Sequence, residues 1–338
     1  MIKSKLMFSV LIAGALATSC HNASNNTPTT EAQGYDIVTY VYSGAKMMPD
    51  PATITGINYA FANMNDTRDG LIINNEGRFR NIVDLKNQKP DLKVLLCIGG
   101  TCYSGLSEMA ADSLKRASRA GDCARIIREY GIDGIDFDWE VPGGPGGTPD
   151  DQDNFTLVLK AVRDSIGSDK LLTVASGGDI SFNVDEVMPL IDYVSIMAYD
   201  LGGQAPWHHT ALYRSEHTGW HSVDEVVNIY SEAGVKCEQM LLGLGFYGRG
   251  DDNYYKGWTS YPATRPYGDL TEQWDSISMV PYIADANGEL VLGFDNPRSL
   301  QIKCDYIKSH GMRGAMVWRT ELDTDSLELA HAVADELL

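Results

Sequence analysis

The amino-acid sequence predicts an α/β protein folded as a TIM (β/α)8 barrel, and two observations lead to this prediction. Eight short runs of apolar and β-branched residues recur along the chain, at 37–42, 57–62, 93–98, 134–138, 172–176, 193–198, 240–246 and 314–318. Most of them are continuously apolar, which is typical of parallel strands covered on both faces. Stretches with helical periodicity separate the runs, so that strands and helices alternate as in a barrel.

Two of the intervening helices carry their own start and stop signals. An apolar stripe from Phe155 to Ile166 ends at Gly167, a residue that commonly terminates helices. Ser222 and Glu225 form a capping box at the start of another helix. An open doubly wound sheet is the lesser alternative, because no glycine-rich nucleotide-binding pattern follows the first strand.

Composition and charge exclude several classes of protein. The chain of 338 residues is 43% hydrophobic and 22% charged, which excludes disorder and fits a globular protein. There are 27 Lys and Arg residues against 46 Asp and Glu residues, a net charge of −19, and no basic stripe interrupts this excess of acid. We therefore expect no nucleic-acid partner, because a phosphate backbone would be repelled.

The N-terminus reads as a targeting segment. Two lysines in 1–5 precede a mainly apolar run over 6–17, and small residues then lead to Cys20. This pattern predicts a signal peptide over 1–19 and resembles the bacterial lipoprotein cleavage box, in which the cysteine is lipidated. Residues 20–34 are polar and predict a flexible tether before a domain over 35–338. We expect a lipid-anchored protein of the cell envelope, periplasmic or outer-surface; cleavage without lipidation would make it secreted.

No metal or cofactor site is predicted. The cysteines lack the spacing of a zinc site, and if Cys20 is lipidated an odd number remains, so that they cannot all pair within the chain. His208 and His209 are the nearest approach to a ligand cluster, and we expect these adjacent loop side chains to be solvated.

The fourth predicted strand carries a run of acids. Asp136, Asp138 and Glu140 are spaced two apart, so on a strand they share one face at roughly 6.6 Å intervals. The apolar residues between them point the other way, toward the helices, and the acids therefore point into the barrel mouth. Crowded carboxyls repel one another, which predicts a proton held on Glu140 at neutral pH and a general acid. The alternative is a solvated acidic strand.

The segment DGIDFDWE, residues 133–140, resembles the DxxDxDxE signature of the family 18 glycoside hydrolases, the chitinase family. That family has the barrel fold predicted above. Four further segments resemble its motifs in the same order: 57–62 its second strand, 197–200 its MxYD motif, 246–249 its YxR segment and 314–318 the strand ending in a tryptophan.

The resemblance implies roles for the residues at these positions. Glu140 would protonate the glycosidic oxygen while the N-acetyl carbonyl of the substrate attacks the anomeric carbon, giving an oxazolinium intermediate and retention of configuration. Asp138 would turn toward the acetamide N–H, with Asp136 behind it sharing a proton. Tyr199 would hydrogen-bond the acetamide oxygen.

Other positions are implied as substrate-binding. Asp200 would lie near Glu140, Tyr247 and Arg249 would line the cleft, and Trp318 would stack under the sugar in the −1 subsite. Further candidates for contacting the sugar chain are Tyr40, Phe61, Met197 and Trp207, the last as a platform on the leaving-group side.

Two departures from the family pattern change the expectations. Cys97 occupies the position of a serine that supports the inner aspartate, and a thiol is a poorer donor, which puts the support of Asp136 in doubt. Many family members also carry an α+β insertion that walls a deep cleft. Only about two dozen residues separate Arg249 from Trp274, so we expect a short or missing wall and an open groove.

We therefore expect a monomeric glycosidase acting on an N-acetylglucosamine-containing oligo- or polysaccharide, first of all chitin. An endo-β-N-acetylglucosaminidase acting on N-glycan chitobiose cores is the alternative with the same chemistry, although Trp139 after Asp138 favours a chitinase. A non-catalytic sugar-binding protein on the same barrel is the alternative from another class. Such lectins typically lose the acid, whereas Glu140 is present.

Overall fold

A computed structural model of the chain describes residues 34–67, 70–100, 105–203, 206–250, 253, 255 and 257–338. The predicted signal peptide, the lipid-anchor candidate Cys20 and nearly all of the tether over 20–34 lie outside these residues. Among the helices that are described, none is long and apolar enough to cross a membrane.

The strands divide between a barrel and a smaller sheet. They are, in chain order, β1 (Asp36–Tyr42), β2 (Gly56–Met64), β3 (Leu71–Ile73), β4 (Lys93–Gly99), β5 (Gly134–Asp138), β6 (Leu171–Ser176), β7 (Tyr193–Ile196), β8 (Met240–Gly245), β9 (Tyr247–Gly250), β10 (Trp258–Ser260), β11 (Thr271–Asp275), β12 (Val280–Ala284), β13 (Leu290–Gly293) and β14 (Gly314–Trp318). Parallel pairing runs β1-β14-β8-β7-β6-β5-β4-β2, and β2 pairs with β1. The sheet therefore closes into the predicted (β/α)8 barrel rather than an open sheet.

Helices cover the outside of the barrel. They are α1 (Glu76–Val83), α2 (Leu106–Ala111), α3 (Ser113–Tyr130), α4 (Asp151–Ile166), α5 (Val184–Val187), α6 (Val223–Glu232), α7 (Pro297–Ser309) and α8 (Glu328–Leu337). Helix α4 ends at Gly167 as predicted. The capping box of α6 is also confirmed, since Glu225 Oε2 accepts from the Ser222 N–H at 2.8 Å and Ser222 Oγ accepts from the Glu225 N–H at 3.4 Å.

The two faces of β5 differ as its alternating sequence predicts. Phe137 and Trp139 face outward and lie edge-on to the ring of Phe155 in α4, at centroid distances of 6.0 Å and 5.5 Å. Burial of these rings fixes which face of the strand turns inward, because a shift of one residue would exchange the two faces. The acidic side chains consequently lie on the inner face.

Strands β9 to β13 form a second, antiparallel sheet in the order β10-β9-β13-β12-β11. Strand β9 follows barrel strand β8 after a single residue, so the sheet grows directly from the barrel mouth. The expectation was a short or missing wall beside the cleft, and the structure has a small sheet there, of which Trp258 lines the cavity. This sheet escaped the sequence analysis because β10 and β11 are short and largely exposed. The apolar strands β12 and β13 lie beyond Trp274, outside the segment in which the wall was expected.

A fully buried ion pair joins α7 to the end of this sheet. Lys303 Nζ lies 2.8 and 2.7 Å from the two carboxylate oxygens of Asp295, and neither side chain is exposed. Ser299 Oγ donates to Asp295 at 2.6 Å, and Lys303 also donates to the hydroxyl of Thr210. Every group of the network is thus satisfied inside the protein.

Asp295→Asn is expected to lower the free energy of unfolding by about 3–5 kcal/mol, because it leaves the Lys303 ammonium buried without its counter-charge. Urea denaturation measures the change. The control is Glu238→Gln, which breaks the solvent-exposed pair of Lys236 and Glu238 and should change stability by less than ~0.5 kcal/mol. Equal effects of the two substitutions would contradict the importance of the buried pair.

Candidate active site

A cavity of about 500 Å³ opens at the carboxyl ends of the barrel strands. Its volume suits a small ligand or a few units of a polymer. The predicted site residues that line it are Tyr40, Phe61, Asp138, Glu140, Met197, Tyr199, Asp200 and Trp318. The structure therefore brings together side chains from strands, or from the segments that follow them, all around the barrel, as expected for a site in this fold.

The acids of the 133–140 segment take different positions. Asp133 lies at the start of β5, where it pairs with Lys86 and accepts from the Val94 N–H at 2.9 Å, so its role is structural. Asp136 and Asp138 are buried on the inner face of the strand, while Glu140, just beyond its end, is half-buried. Along the chain from Asp136 to Glu140, the carboxyl groups thus lie progressively closer to the cavity and farther from the barrel interior.

Asp136 is held from two other strands of the barrel, β1 and β6. The hydroxyl of Tyr40 donates to it at 2.6 Å, and Thr173 of β6, its register partner, donates to the other carboxylate oxygen. Burial raises the pKa of Asp136, while the contacts with Cys97, Thr173 and Tyr40 oppose this rise. Tyr40 and Thr173 therefore support Asp136 together with Cys97, whose contribution the sequence analysis put in doubt.

Cys97 is a buried free thiol whose pKa is raised well above its ordinary value, first by burial and then by the charge of Asp136. Because the thiolate is the nucleophile, this cysteine is expected to be unreactive. Cys97→Ser should preserve or raise kcat, since a hydroxyl of similar size is a better donor to Asp136. Steady-state assays of wild type and variant, with and without a mild thiol reagent, test this; loss of activity in either case would contradict it.

Asp138 has one carboxylate oxygen, Oδ1, that is buried and without a hydrogen-bond partner among the described residues. Its pKa is raised well above the ordinary value by burial, then by the charges of Glu140 and Asp136. Buried polar atoms are nearly always paired, so an unpaired one in a cavity wall points to a ligand. Gly99 and Gly100 allow the end of β4 to lie against the backbone of Asp138. A Cβ on Gly99 would be 1.9 Å from the Asp138 carbonyl oxygen, and the Gly100 N–H donates to that oxygen at 2.8 Å.

Aromatic rings surround Trp318 at the end of β14. The ring centroids of Tyr40, Phe61 and Trp258 lie 5.5, 6.1 and 5.9 Å from its indole. The indole Nε1 is buried without a partner in the part of the chain that is described. This cluster offers an apolar face with a free donor at its edge, an arrangement suited to a ring with apolar faces and polar rims.

Tyr199 and Asp200 close the other side of the cavity. Among the described residues, the Tyr199 hydroxyl donates only to the weak acceptor Sδ of Met316, at 3.7 Å. Burial raises the pKa of Tyr199, so it remains a protonated donor. Asp200 lies 3.0 Å from Nε of Arg249 and its backbone N–H donates to Nδ1 of His209 at 3.2 Å. Burial raises the pKa of Asp200, and the charge of Arg249 opposes this.

Tyr247 and Arg249 are not among the residues that line the cavity, so their predicted place in the cleft stays a prediction. Tyr247 is 1% exposed, because the ring of Trp258 lies 5.1 Å away and covers it. Arg249 turns to Asp200 and lies 5.9 Å from the Trp258 ring. Both residues position the cavity wall, while Trp258, from the second sheet, forms it.

Trp207 is not among the cavity-lining residues, and its place as a platform stays a prediction; the residue is 37% exposed, and its Cβ packs beside Gly202. The two histidines that follow it differ from the expectation. His208 and His209 are buried rather than solvated, and burial lowers the pKa of His208 to about 4. His208 Nε2 lies 3.1 Å from Asp275, which ties the loop to the second sheet.

Several lining residues escaped the sequence analysis. They are Tyr42, Asn63, Asn74, Gly99, Gly100, Ala175, Trp258 and Arg319. Two of these carried a usable signal: Tyr42 stands two positions after Tyr40, on the same face of β1, and Arg319 follows Trp318 directly. Trp258 had no local signal, because only the fold of the second sheet brings it over the barrel mouth.

Acidic side chains from one strand and a cluster of aromatic rings line the same cavity at the mouth of a (β/α)8 barrel. This combination is typical of barrel proteins whose pocket binds a polar ligand that contains a ring. Within that class the chain belongs to the glycosyl hydrolases family 18, whose model matches residues 29–323. The family resemblance predicted from the sequence is thereby confirmed.

Curated relatives agree with this assignment. Chitinase A1 of Niallia circulans is 27% identical, over 91% of this chain and 52% of that protein. Chitotriosidase-1 of Mus musculus is 28% identical, over 81% of this chain and 68% of that protein. The chain therefore spans between about half and two thirds of the length of these two relatives.

Solved structures show the same fold. A family 18 N-acetylglucosaminidase from Paenibacillus barengoltzii superposes with a TM-score of 0.80 at 29% identity, covering 90% of this chain and all of that one. The Ostrinia furnacalis Group IV chitinase superposes with a TM-score of 0.81 at 25% identity, covering 90% of this chain and 99% of that one.

Proposed function

We propose that this protein hydrolyses β-1,4-linked N-acetylglucosamine, in chitin or chitooligosaccharides, by a retaining mechanism in which the substrate supplies the nucleophile. The observation that carries the proposal is the buried, unpartnered oxygen of Asp138 beside Glu140 in the cavity. The relatives named as chitinases support the substrate class.

In this scheme Glu140 donates its proton to the glycosidic oxygen, and the bond from the anomeric carbon to that oxygen breaks. The acetamide carbonyl oxygen of the −1 sugar forms a bond to the anomeric carbon, giving a cyclic oxazolinium ion. Water then attacks the same carbon, Glu140 takes back a proton, and the acetamide is restored. Two inversions give net retention, without a second carboxylate as nucleophile.

Asp138 holds the acetamide in its attacking position. The acetamide N–H donates to Oδ1 of Asp138, which the protein itself leaves unpaired, and the carboxylate stabilises the positive charge of the oxazolinium ion. Tyr199 donates its hydroxyl hydrogen to the acetamide oxygen in place of its weak contact with Met316. The apolar face of the sugar stacks on Trp318.

The test is the requirement for the acetamide. Purified protein should cleave chitooligosaccharides with retention of configuration, leave fully deacetylated chitosan and cellooligosaccharides uncut, and be inhibited by a thiazoline analogue of the oxazolinium ion. Efficient hydrolysis of a sugar chain that lacks the acetamide at the −1 position would overturn the mechanism. Binding of chitooligosaccharides without any hydrolysis would instead favour the sugar-binding alternative, and release of high-mannose glycan from a glycoprotein would favour the endo-glycosidase alternative.

A further inference from the structure

Tyr42 and Arg319 form one end of the cavity, at the carboxyl ends of β1 and β14. The Arg319 guanidinium lies 4.6 Å from the centre of the Tyr42 ring and 5.8 Å from that of Trp318. Tyr42 is 40% exposed, and both residues line the cavity. This pair, which we term the Tyr42–Arg319 shelf, has no part in the mechanism described above.

The shelf is held rigidly from behind. The Glu321 carboxylate accepts from the Tyr42 N–H at 2.9 Å and from Arg78 Nη2 at 3.0 Å, and Arg78 also donates to the Tyr42 carbonyl oxygen at 3.1 Å. Arg78 and Glu321 thus pair with each other. Burial raises the pKa of Glu321, while the charges of Arg319 and Arg78 lower it.

Arg319 keeps an unused donor. Its Nε is buried without a hydrogen-bond partner among the residues that the structure describes. The other charged residues lining the cavity, Asp138, Glu140 and Asp200, are acids. The shelf is therefore the cationic end of an otherwise acidic cleft, and its free N–H is suited to a carbonyl or hydroxyl oxygen.

The position of the Tyr42–Arg319 shelf in the barrel places it on the side of the cleaved bond opposite the leaving group. Strands β5 and β14 stand opposite each other, four steps apart in either direction around the barrel. Glu140, after β5, acts on the leaving-group oxygen, and Trp318, at the end of β14, lies under the −1 sugar. The sugar chain continuing past Trp318 away from Glu140 meets Arg319, so the shelf contacts the −2 sugar.

We propose that Arg319 makes the −2 subsite select N-acetylglucosamine over glucosamine, an inference that rests on the proposed function. The acetamide carbonyl of an acetylated −2 sugar accepts from the free Nε–H. A deacetylated sugar instead brings a protonated amine to the guanidinium, and two like charges in a partly desolvated cleft repel each other. Cleavage of partially deacetylated chitin would thus depend on acetylation at two positions. At −1 the acetamide is the nucleophile, and at −2 the acetamide is recognised by Arg319.

The experiment is digestion of partially acetylated chitosan at a pH where its free amines are protonated, with the products sequenced by mass spectrometry. For wild type we expect acetylated units at −1 and a preference for them at −2. Arg319→Gln should reduce the −2 preference by about fivefold, whereas Arg319→Lys, which keeps the charge, should retain it. Arg298→Gln, at an exposed arginine that lies over Trp274, is the control for net charge and should leave the −2 preference unchanged.

Each outcome separates the two proposals. An unaltered −2 preference in Arg319→Gln, or an equal loss in Arg319→Lys, would overturn the role of the Arg319 charge. A wild type indifferent to acetylation at −1 would overturn the proposed mechanism, while the −2 comparison would still decide the role of Arg319. If Arg319→Gln does not fold, the wild type alone tests the inference: added salt screens the repulsion and should weaken the −2 preference, and a salt-independent preference would overturn it.

Discussion

Glu140→Gln is expected to lower kcat by at least ~10², with little change in the affinity for chitooligosaccharides. The amide has nearly the shape of the carboxyl and still forms hydrogen bonds, but it has no proton to give to the glycosidic oxygen. In the proposed mechanism binding depends instead on the aromatic cluster around Trp318 and on Asp138, which this substitution leaves in place.

Steady-state kinetics with a chitooligosaccharide would measure kcat, and calorimetric titration of the inactive variant would measure affinity. Glu216→Gln is the matched control, because Glu216 is 88% exposed and does not line the cavity. It should keep wild-type kcat. A loss below tenfold in Glu140→Gln would show that another group supplies the proton.

Asp138→Asn is expected to lower kcat by a similar factor, of the order of 10²–10³, which is typical for removal of one preorganised electrostatic contact with the transition state. The amide cannot stabilise the positive charge of the oxazolinium ion, and its NH2 group opposes the acetamide N–H. Because the acid Glu140 remains, the comparison of the two variants separates proton donation from positioning of the nucleophile. A covalent sugar adduct on Asp138 of the wild type would contradict this role.

The same substitution is expected to raise the thermal stability. Burial and the neighbouring acids raise the pKa of Asp138 in the folded protein, whereas in the unfolded chain it is near 3.9. In the protein without substrate, the folded state therefore retains a proton that the unfolded chain has already released, and wild-type stability falls as pH rises from about 4 to the folded pKa of Asp138. The variant carries no such charge, so its Tm should exceed that of the wild type by an amount that grows from about pH 4 upward.

Thermal unfolding of both proteins over a pH series would measure this difference. Buried, mutually repelling carboxyls cost stability, and a site that needs them is expected to gain stability when one is neutralised. A Tm difference that is constant with pH would contradict the raised pKa of Asp138.

Much of the barrel was predictable from local sequence. The eight strands were located to within about two residues, because a strand covered on both faces must be apolar over its whole length. The inward direction of Asp136, Asp138 and Glu140 follows from the two-residue period of a strand, together with the outward burial of Phe137 and Trp139. These are properties of contiguous residues, and the sequence contains them.

The supports and walls of the site were not predictable in the same way. Thr173 donates to Asp136 because β6 lies next to β5 in a particular register. Trp258 lies against Tyr247 and lines the cavity because β10 pairs with β9 in a register that sets Trp258 opposite Arg249.

The electrostatic character of the site also depends on the closed fold. The sequence places acids two residues apart, but the raised pKa values of Asp136 and Asp138 arise chiefly from burial, which exists only when the strands have closed and the second sheet is in place. The Tyr42–Arg319 shelf likewise connects the first and last strands of the barrel, because β1 and β14 become neighbours only when the barrel closes. The positions of the strands follow from the local pattern of apolar residues. Burial, the charge environment of each side chain and the contacts between distant segments depend on how the whole chain packs.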